Sequence, residues 1–176
     1  SPLGRRLARR CWPGPVTIVA DDNHPDSLLH QLSPSVQQAI APQKTIGLRV
    51  PAHPVVLDIL RMLVGPIALT SANPAGDQNP LTAGEVVDAL GDQVALVLDD
   101  GQARLGQPST VVKVGRRQLE VLRPGVFSEQ TLRRLSSLIV LLVCTGNTCR
   151  SPMAEVMSRK LIADRLGCAE NDLGEH

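Results

Sequence analysis

Short β-branched and aliphatic runs alternate with helical patterns along the chain, and this alternation restricts the fold to the α/β class. Residues 16–20 (VTIVA), 45–50, 67–70 and 94–98 read as strands. Residues 109–114 and 118–122 flank Gly115-Arg116-Arg117 and read as a hairpin. Helical patterns cover 33–41, 54–63, 82–90 and 128–135. Ser33 with Pro34 marks one start, and the T-x-x-E at Thr82 marks another as a capping box. Residues 71–80 (SANPAGDQNP) are too polar and too broken by Pro, Gly and Asn to form an element. The texture changes near Ser136-Ser137. LIVLLV at 138–143 is fully apolar, as strands of parallel sheets are, and 152–166 is a long helical pattern closed by Gly167.

Composition narrows the functions. Hydrophobic residues make up 43% and charged residues 20%, so the 176-residue chain can bury a core. A net charge of +1 argues against a polyanion-coating protein. Trp12 and Phe127 are the sole aromatics, too few for a stacking platform for single-stranded nucleic acid. Arg5, Arg6, Arg9 and Arg10 form either a solvated helix face or a phosphate- or RNA-facing patch. Cys11, Cys144, Cys149 and Cys168 lack the density of a disulfide-stapled domain and the pairing of a zinc motif. No membrane-length apolar run and no signal peptide is visible, which makes a cytoplasmic setting the expectation.

CTGNTCRS at 144–151 carries the sharpest local chemistry. Between a strand and a helix, its backbone N–H groups and the helix N-terminus form an anion cradle. Those dipoles favour the thiolate of Cys144. Arg150 can hold two phosphoryl oxygens, and Ser151 can hydrogen-bond the thiolate or assist the leaving group. Gly146 and Asn147 suit a left-handed backbone. The chemistry would be attack of Cys144 on a phosphate monoester, giving a cysteinyl-phosphate.

A second constellation is spread out. Thr45 and Arg49 share one strand, and Ser71, Asn73 and Asn79 share the loop after 67–70. Ser109 and Thr110 open another strand, and Arg123 ends the next. If these strands are neighbours, their ends meet at one crevice, where open α/β sheets bind ligands. Two arginines with hydroxyls and amides suit a phosphate-bearing ligand. No G-x-x-x-x-G-K-[ST] is present. Taken singly, the loop residues are ordinary turn formers, and His53 is a helix-entry residue.

Two resemblances follow. WPGPVTIV, LRVPAHP, ALTSANPAG, LDDG, PSTVVKV and LRPG, in this order, resemble the YrdC-like threonylcarbamoyl-AMP synthase family over about residues 4–134, the C-terminal two-thirds of that domain. The resemblance implies a twisted open sheet with helices and an electropositive cavity. It implies ATP with Mg²⁺, L-threonine and bicarbonate as substrates, and no metal ligand from the protein. The product would reach tRNA indirectly, through a downstream transferase that forms threonylcarbamoyladenosine. Carried over by position, Thr45, Arg49, Ser71, Asn79 and Arg123 would contact the nucleotide, with Asn73 supporting their loop. The Leu69 backbone and Ser109 would contact threonine. The family's N-terminal third holds a basic K-x-R-type motif that RRLARR does not replace in register, so the isolated chain is expected to be weak or inactive.

VCTGNTCRSPMAE resembles the opening of the low-molecular-weight protein tyrosine phosphatase family, over about residues 138–166. Cys144, Arg150 and Ser151 would be its catalytic loop, and Cys149 its second loop cysteine, able to form a protective disulfide with the nucleophile. That family's aspartic acid loop lies far downstream, and Asp164 does not suit the role, so phosphatase turnover is expected to be negligible. The expected organisation is a YrdC-like domain over 1–135, followed over 136–176 by the first β-loop-α unit of a phosphatase-type parallel α/β domain. Competing functions are a phosphatase, a non-catalytic RNA-binding module, and a carbamoyl-transfer domain of a hydrogenase-maturation protein. The last would bring zinc-finger cysteines, which are missing here.

Overall fold

The structure, a computed structural model, describes residues 1–74, 76–116 and 118–174. It divides into two compact units, Ser1–Ser137 and Leu138–His176.

The first unit is built on a four-stranded mixed sheet. Its strands are β1 (Val16–Asp21), β2 (Thr45–Leu48), β3 (Thr110–Val114) and β4 (Leu119–Arg123), in the order β2-β1-β3-β4. β1 runs parallel to β3, and β2 and β4 run antiparallel to their neighbours. Helices α1 (Pro2–Cys11) and α5 (Glu129–Ser136) supply the core on one side. Leu3, Leu7 and Cys11 recur every four residues on α1 and are all buried. They pack with Val16 and Ile18 of β1, Val112 and Val114 of β3, Leu119 of β4 and Leu132 of α5. Burial pushes the Cys11 thiol up from its ordinary value, against the opposing pull of Arg10.

The arginines of α1 do not form a purely solvated face. Arg6 Nε donates to the Ser136 carbonyl, and Arg10 Nη1 donates to the carbonyls of Leu135 at 2.7 Å and Ser137 at 3.0 Å. These carbonyls end α5, where unpaired acceptors and the negative end of the helix dipole favour a cation. Two of the four clustered arginines are thereby committed to holding α1 on α5.

The remaining helices of this unit are α2 (Pro34–Ile40), α3 (Pro54–Met62) and α4 (Ala83–Leu90). Half of the capping box at Thr82 forms: its Oγ1 accepts from Glu85 N at 3.3 Å, whereas Glu85 Oε2 accepts from Leu81 N at 2.6 Å, one residue before the cap. Ser33 sits at the expected N-cap, yet its hydroxyl pairs with Ser35 and makes no cap bond.

Three expected strands are not formed. Residues 67–70, 94–98 and 138–143 have no ladder partner among the described residues. Their apolar side chains are exposed: Leu69 61%, Leu96 75% and Leu141 81%. The reason is that an apolar run becomes a strand only beside a neighbour that completes its hydrogen bonds.

In the second unit, α6 (Arg150–Leu166) follows the Cys144–Cys149 loop and begins two residues before the expected 152. Gly167 closes it in the left-handed region, at φ 70°, as expected. All four cysteines are free thiols. Among the described residues, no helix is long and apolar enough to cross a membrane.

Candidate functional site

Strand directions decide which polar residues meet. β1 pairs Val16 with Thr110 of β3 and Ile18 with Leu48 of β2. The beginnings of β1 and β3 therefore lie beside the ends of β2 and β4. Arg49 directly follows β2, Ser109 directly precedes β3, and Arg123 closes β4 opposite Val111. These three expected site residues come together at one sheet end. It is the carboxyl end of the two strands that carry the arginines, and the amino end of the parallel pair.

Each side chain is held. Arg123 Nη2 donates to the Ser109 carbonyl at 2.9 Å and to Ser109 Oγ at 3.1 Å. Arg49 Nε donates to the Gly14 carbonyl at 3.0 Å, and Gly14 N donates to the Val50 carbonyl at 2.8 Å. A Cβ on Gly14 would lie 2.2 Å from the Cys11 carbonyl oxygen, so WPGP packs this close only with glycine there. Trp12 Nε1 donates to the Val16 carbonyl at 2.8 Å, which fixes the turn beneath the site. Gly14, Thr17 and Gly125 were not singled out from sequence, although WPGPVTIV and LRPG contain them.

The electrostatics point to an anion. Burial lowers Arg49 from its ordinary value, and the neighbouring Arg123 guanidinium lowers it further. Among the described residues, neither arginine forms an ion pair with a carboxylate. Two neighbouring guanidiniums that repel each other are stabilised by a ligand bearing negative charge.

The other expected nucleotide and threonine contacts lie elsewhere. Thr45 begins β2 opposite Asp21, four residues and roughly 13 Å along the strand from Arg49. Leu69 and Ser71 are exposed. Asn73 and Asn79 line a separate cavity of about 360 Å³ against α4, with Asp77, Gln78 and Glu85. Asn73 Nδ2 donates to the Asp77 carbonyl at 2.7 Å, while its Oδ1 is buried without a partner. No hydrogen bond or ion pair among the described residues links loop 71–80 to Arg49 or Arg123, in keeping with the unpaired run 67–70 that leads into it. His53 N-caps α3 without a side-chain cap bond, and its Nε2 lies 3.3 Å from Asp100 Oδ2.

The second unit holds its own candidate site. The Cys144 thiol is lowered to about 7, first by the Ser151 hydroxyl and N–H; burial opposes this, and the N–H groups of Asn147 and Gly146 lower it by smaller amounts. Asn147 N donates to Cys144 Sγ at 3.1 Å. Ser151 is buried, and its Oγ has no other hydrogen-bond partner among the described residues. Of the two residues expected in the left-handed region, only Asn147 adopts it, at φ 50°. Arg150 Nη2 rests 3.4 Å from Thr145 Oγ1. Cys144 and Cys149 are not bonded to each other. Among the described residues, no group of three His, Cys, Asp or Glu side chains could hold a metal ion.

Fold and site together define a mixed α/β domain that presents two cationic side chains and a serine at one sheet end. The family model described as telomere recombination (Sua5/YciO/YrdC) matches residues 2–125, and the chain belongs to this family. A putative threonylcarbamoyl-AMP synthase from Mycobacterium tuberculosis is 36% identical over 129 residues, covering 73% of this chain and 54% of that protein. A threonylcarbamoyl-AMP synthase from Pyrococcus abyssi is 34% identical over 119 residues, covering 68% and 32%. Among solved structures, P. abyssi Sua5 complexed with L-threonine matches with a TM-score of 0.62 at 30% identity, over 75% of this chain and 36% of that one. E. coli YciO matches with a TM-score of 0.53 at 27% identity, over 70% and 56%. The chain thus spans about a third to a little over half of the length of these relatives. The low-molecular-weight phosphotyrosine protein phosphatase model matches residues 139–171.

Proposed function

We propose that the first unit belongs to an L-threonylcarbamoyladenylate synthase acting on ATP, L-threonine and bicarbonate. The observation that carries this reading is the meeting of Arg49 and Arg123, without carboxylate partners, around Ser109. In the reaction, threonine's amine takes up bicarbonate's carbon with loss of water, giving an N-carboxylate. An oxygen of that carboxylate attacks the α-phosphorus of ATP, and pyrophosphate leaves. The chain's work is positioning and charge stabilisation, with no covalent intermediate on the protein. Arg123 faces the phosphates, Ser109 holds threonine, and Arg49 offsets the charge that develops between them. Thr45, Ser71 and Asn79 would bind more distant parts of the nucleotide, with Asn73 bracing their loop and the Leu69 backbone meeting threonine. Mg²⁺ would arrive as part of the nucleotide substrate, held by its phosphates. The product would be passed to a tRNA-modifying transferase in the cytoplasm. The protein is expected to release pyrophosphate only when threonine and bicarbonate are both present. Release that ignores threonine would sink the reading.

A second reading concerns the second unit alone and rests on the lowered Cys144 thiol within CTGNTCRS. We propose that this loop binds phosphate monoesters and that the protein carries a phosphatase-type segment beside its synthase domain. In this reading Cys144 is the nucleophile, Arg150 turns from Thr145 to the phosphoryl oxygens, and Ser151 steadies the thiolate. The thiol is depressed, so the reactive thiolate dominates above pH 7 and is lost as pH falls through 7. Iodoacetamide labelling of Cys144, followed by peptide mass spectrometry, should therefore show a midpoint near pH 7, moved up by Ser151→Ala. Inorganic phosphate should slow that labelling. A midpoint near 9.0, the ordinary thiol value, would contradict the loop geometry.

A further inference from the structure

We infer that Thr17 is a positioning residue that makes Ser109 a committed hydrogen-bond donor toward an anionic group of the substrate. The inference rests on the reading of Ser109 as the threonine contact. A hydroxyl has one proton to give and two lone pairs to fill. Arg123 Nη2 donates to Ser109 Oγ at 3.1 Å and fills one of them. Thr17 Oγ1 lies 3.0 Å from the same oxygen and has no other hydrogen bond among the described residues.

Two arrangements of this pair exist. If Thr17 accepts, the Ser109 proton is held within the pair and is not available to a ligand. If Thr17 donates, both lone pairs of Ser109 are filled and its proton must find a third acceptor. Ser109 is only 8% exposed, so an unplaced proton there is costly. A carboxylate drawn in by Arg49 and Arg123 supplies that acceptor and selects the second arrangement. Ligands that bring a donor to this point meet a filled oxygen and are rejected. Thr17 thereby contributes to the choice of an anionic amino-acid group while touching no substrate atom itself.

The side chain is built to hold this aim. Thr17 is fixed on β1 in register with Val111 of β3. Its methyl faces Gly47 of β2, where an added Cβ would sit 3.4 Å from Thr17 Cγ2. A β-branched side chain with its methyl seated has little rotamer freedom left, so the hydroxyl is directed at Ser109.

The test is calorimetric titration of L-threonine, and separately of ATP, into the protein and its T17V, T17S and S109A variants, with melting temperatures alongside. Valine keeps the shape and the methyl contact but removes the hydroxyl. T17V should weaken threonine binding about five- to tenfold, the worth of one polar hydrogen bond, and leave ATP binding within about twofold. T17S should restore threonine binding to within about twofold of wild type. Wild-type threonine affinity in T17V, with S109A impaired, would overturn the inference and leave the reading of Ser109 standing. Equal weakening of threonine and ATP in T17V, or failure of T17S to rescue, would also overturn it, because Thr17 would then act through packing. No threonine binding by the wild type, or unchanged binding in S109A, would overturn the Ser109 reading and the inference with it.

Discussion

In a protein that joins this chain to the family's N-terminal third, Arg123→Ala is expected to lower threonine- and bicarbonate-dependent pyrophosphate release by about 100-fold or more, and Arg49→Ala by a similar order. The size follows from what each guanidinium does. In the proposed reaction, charge moves from the attacking carboxylate oxygen to the leaving pyrophosphate. A donor already aimed at that charge is worth about 3–4 kcal/mol in the transition state. Arg123 also donates to both the carbonyl and the hydroxyl of Ser109, so its loss releases the threonine contact as well. Arg49 is tied to the Gly14 carbonyl, and its removal frees the WPGP turn at one point only. The variants should therefore differ in a telling way: Arg123→Ala raises the threonine KM, whereas Arg49→Ala acts mostly on kcat. Neither should be much less stable than wild type, because removing one of two mutually repelling cations relieves the ligand-free site. Arg123→Lys should recover part of the activity, since a single nitrogen, Nη2, makes both Ser109 bonds and an ammonium also carries donors for both. Turnover close to wild type in both alanine variants would remove this sheet end from the reaction.

Much of this site was legible because its residues sit at element boundaries marked by local chemistry. Arg49 ends a strand-like run two residues before Pro51, Ser109 opens one after Pro108, and Arg123 ends one before Pro124. Sequence could therefore place all three at strand ends. It could not say that the ends belong to one edge of one sheet. That depends on β1 and β3 being parallel while β2 and β4 run against them, a long-range pairing with no local signature. The same limit explains residues 67–70, 94–98 and 138–143. Their composition is that of buried strands, but a strand is a property of a pair, and composition reports only one member. Thr17 and Gly125 escaped notice for another reason: each lies inside a quoted motif but works through a neighbour distant in sequence. The CTGNTCRS loop was legible in detail because its geometry is local, closing within eight residues. Even there, only Asn147 of the two expected residues takes the left-handed backbone.

Gly125→Ala should be among the most damaging single-methyl changes in the first unit. A Cβ there would lie 2.4 Å from the Pro108 carbonyl oxygen, 2.6 Å from Thr110 N and 2.7 Å from the Ser109 carbonyl carbon. All three are backbone atoms, so no side-chain rotation can make room. Either LRPG or the start of β3 must move. Thr110 is fully buried and heavily committed: its N donates to the Pro15 carbonyl at 3.0 Å, and its Oγ1 accepts from Phe127 N at 2.9 Å and donates to the Phe127 carbonyl at 3.1 Å. Shifting it strains the first bond between β1 and β3 and the turn into α5 together. Overpacking of this kind costs about 1–3 kcal/mol, and each lost buried hydrogen bond adds about 1. A loss of about 3 kcal/mol lowers the melting temperature by roughly 6–12 °C for a chain of this size. Gly84→Ala is the control: its Cβ meets nothing nearer than Thr82 Oγ1 at 3.9 Å, and alanine favours the helix, so stability should hold or rise. Because the displaced backbone carries Ser109, threonine binding should fall in Gly125→Ala even well below its melting temperature, where the rest of the unit remains folded. Unchanged melting and unchanged threonine affinity in this variant would show that the approach of LRPG to β3 does not set the site.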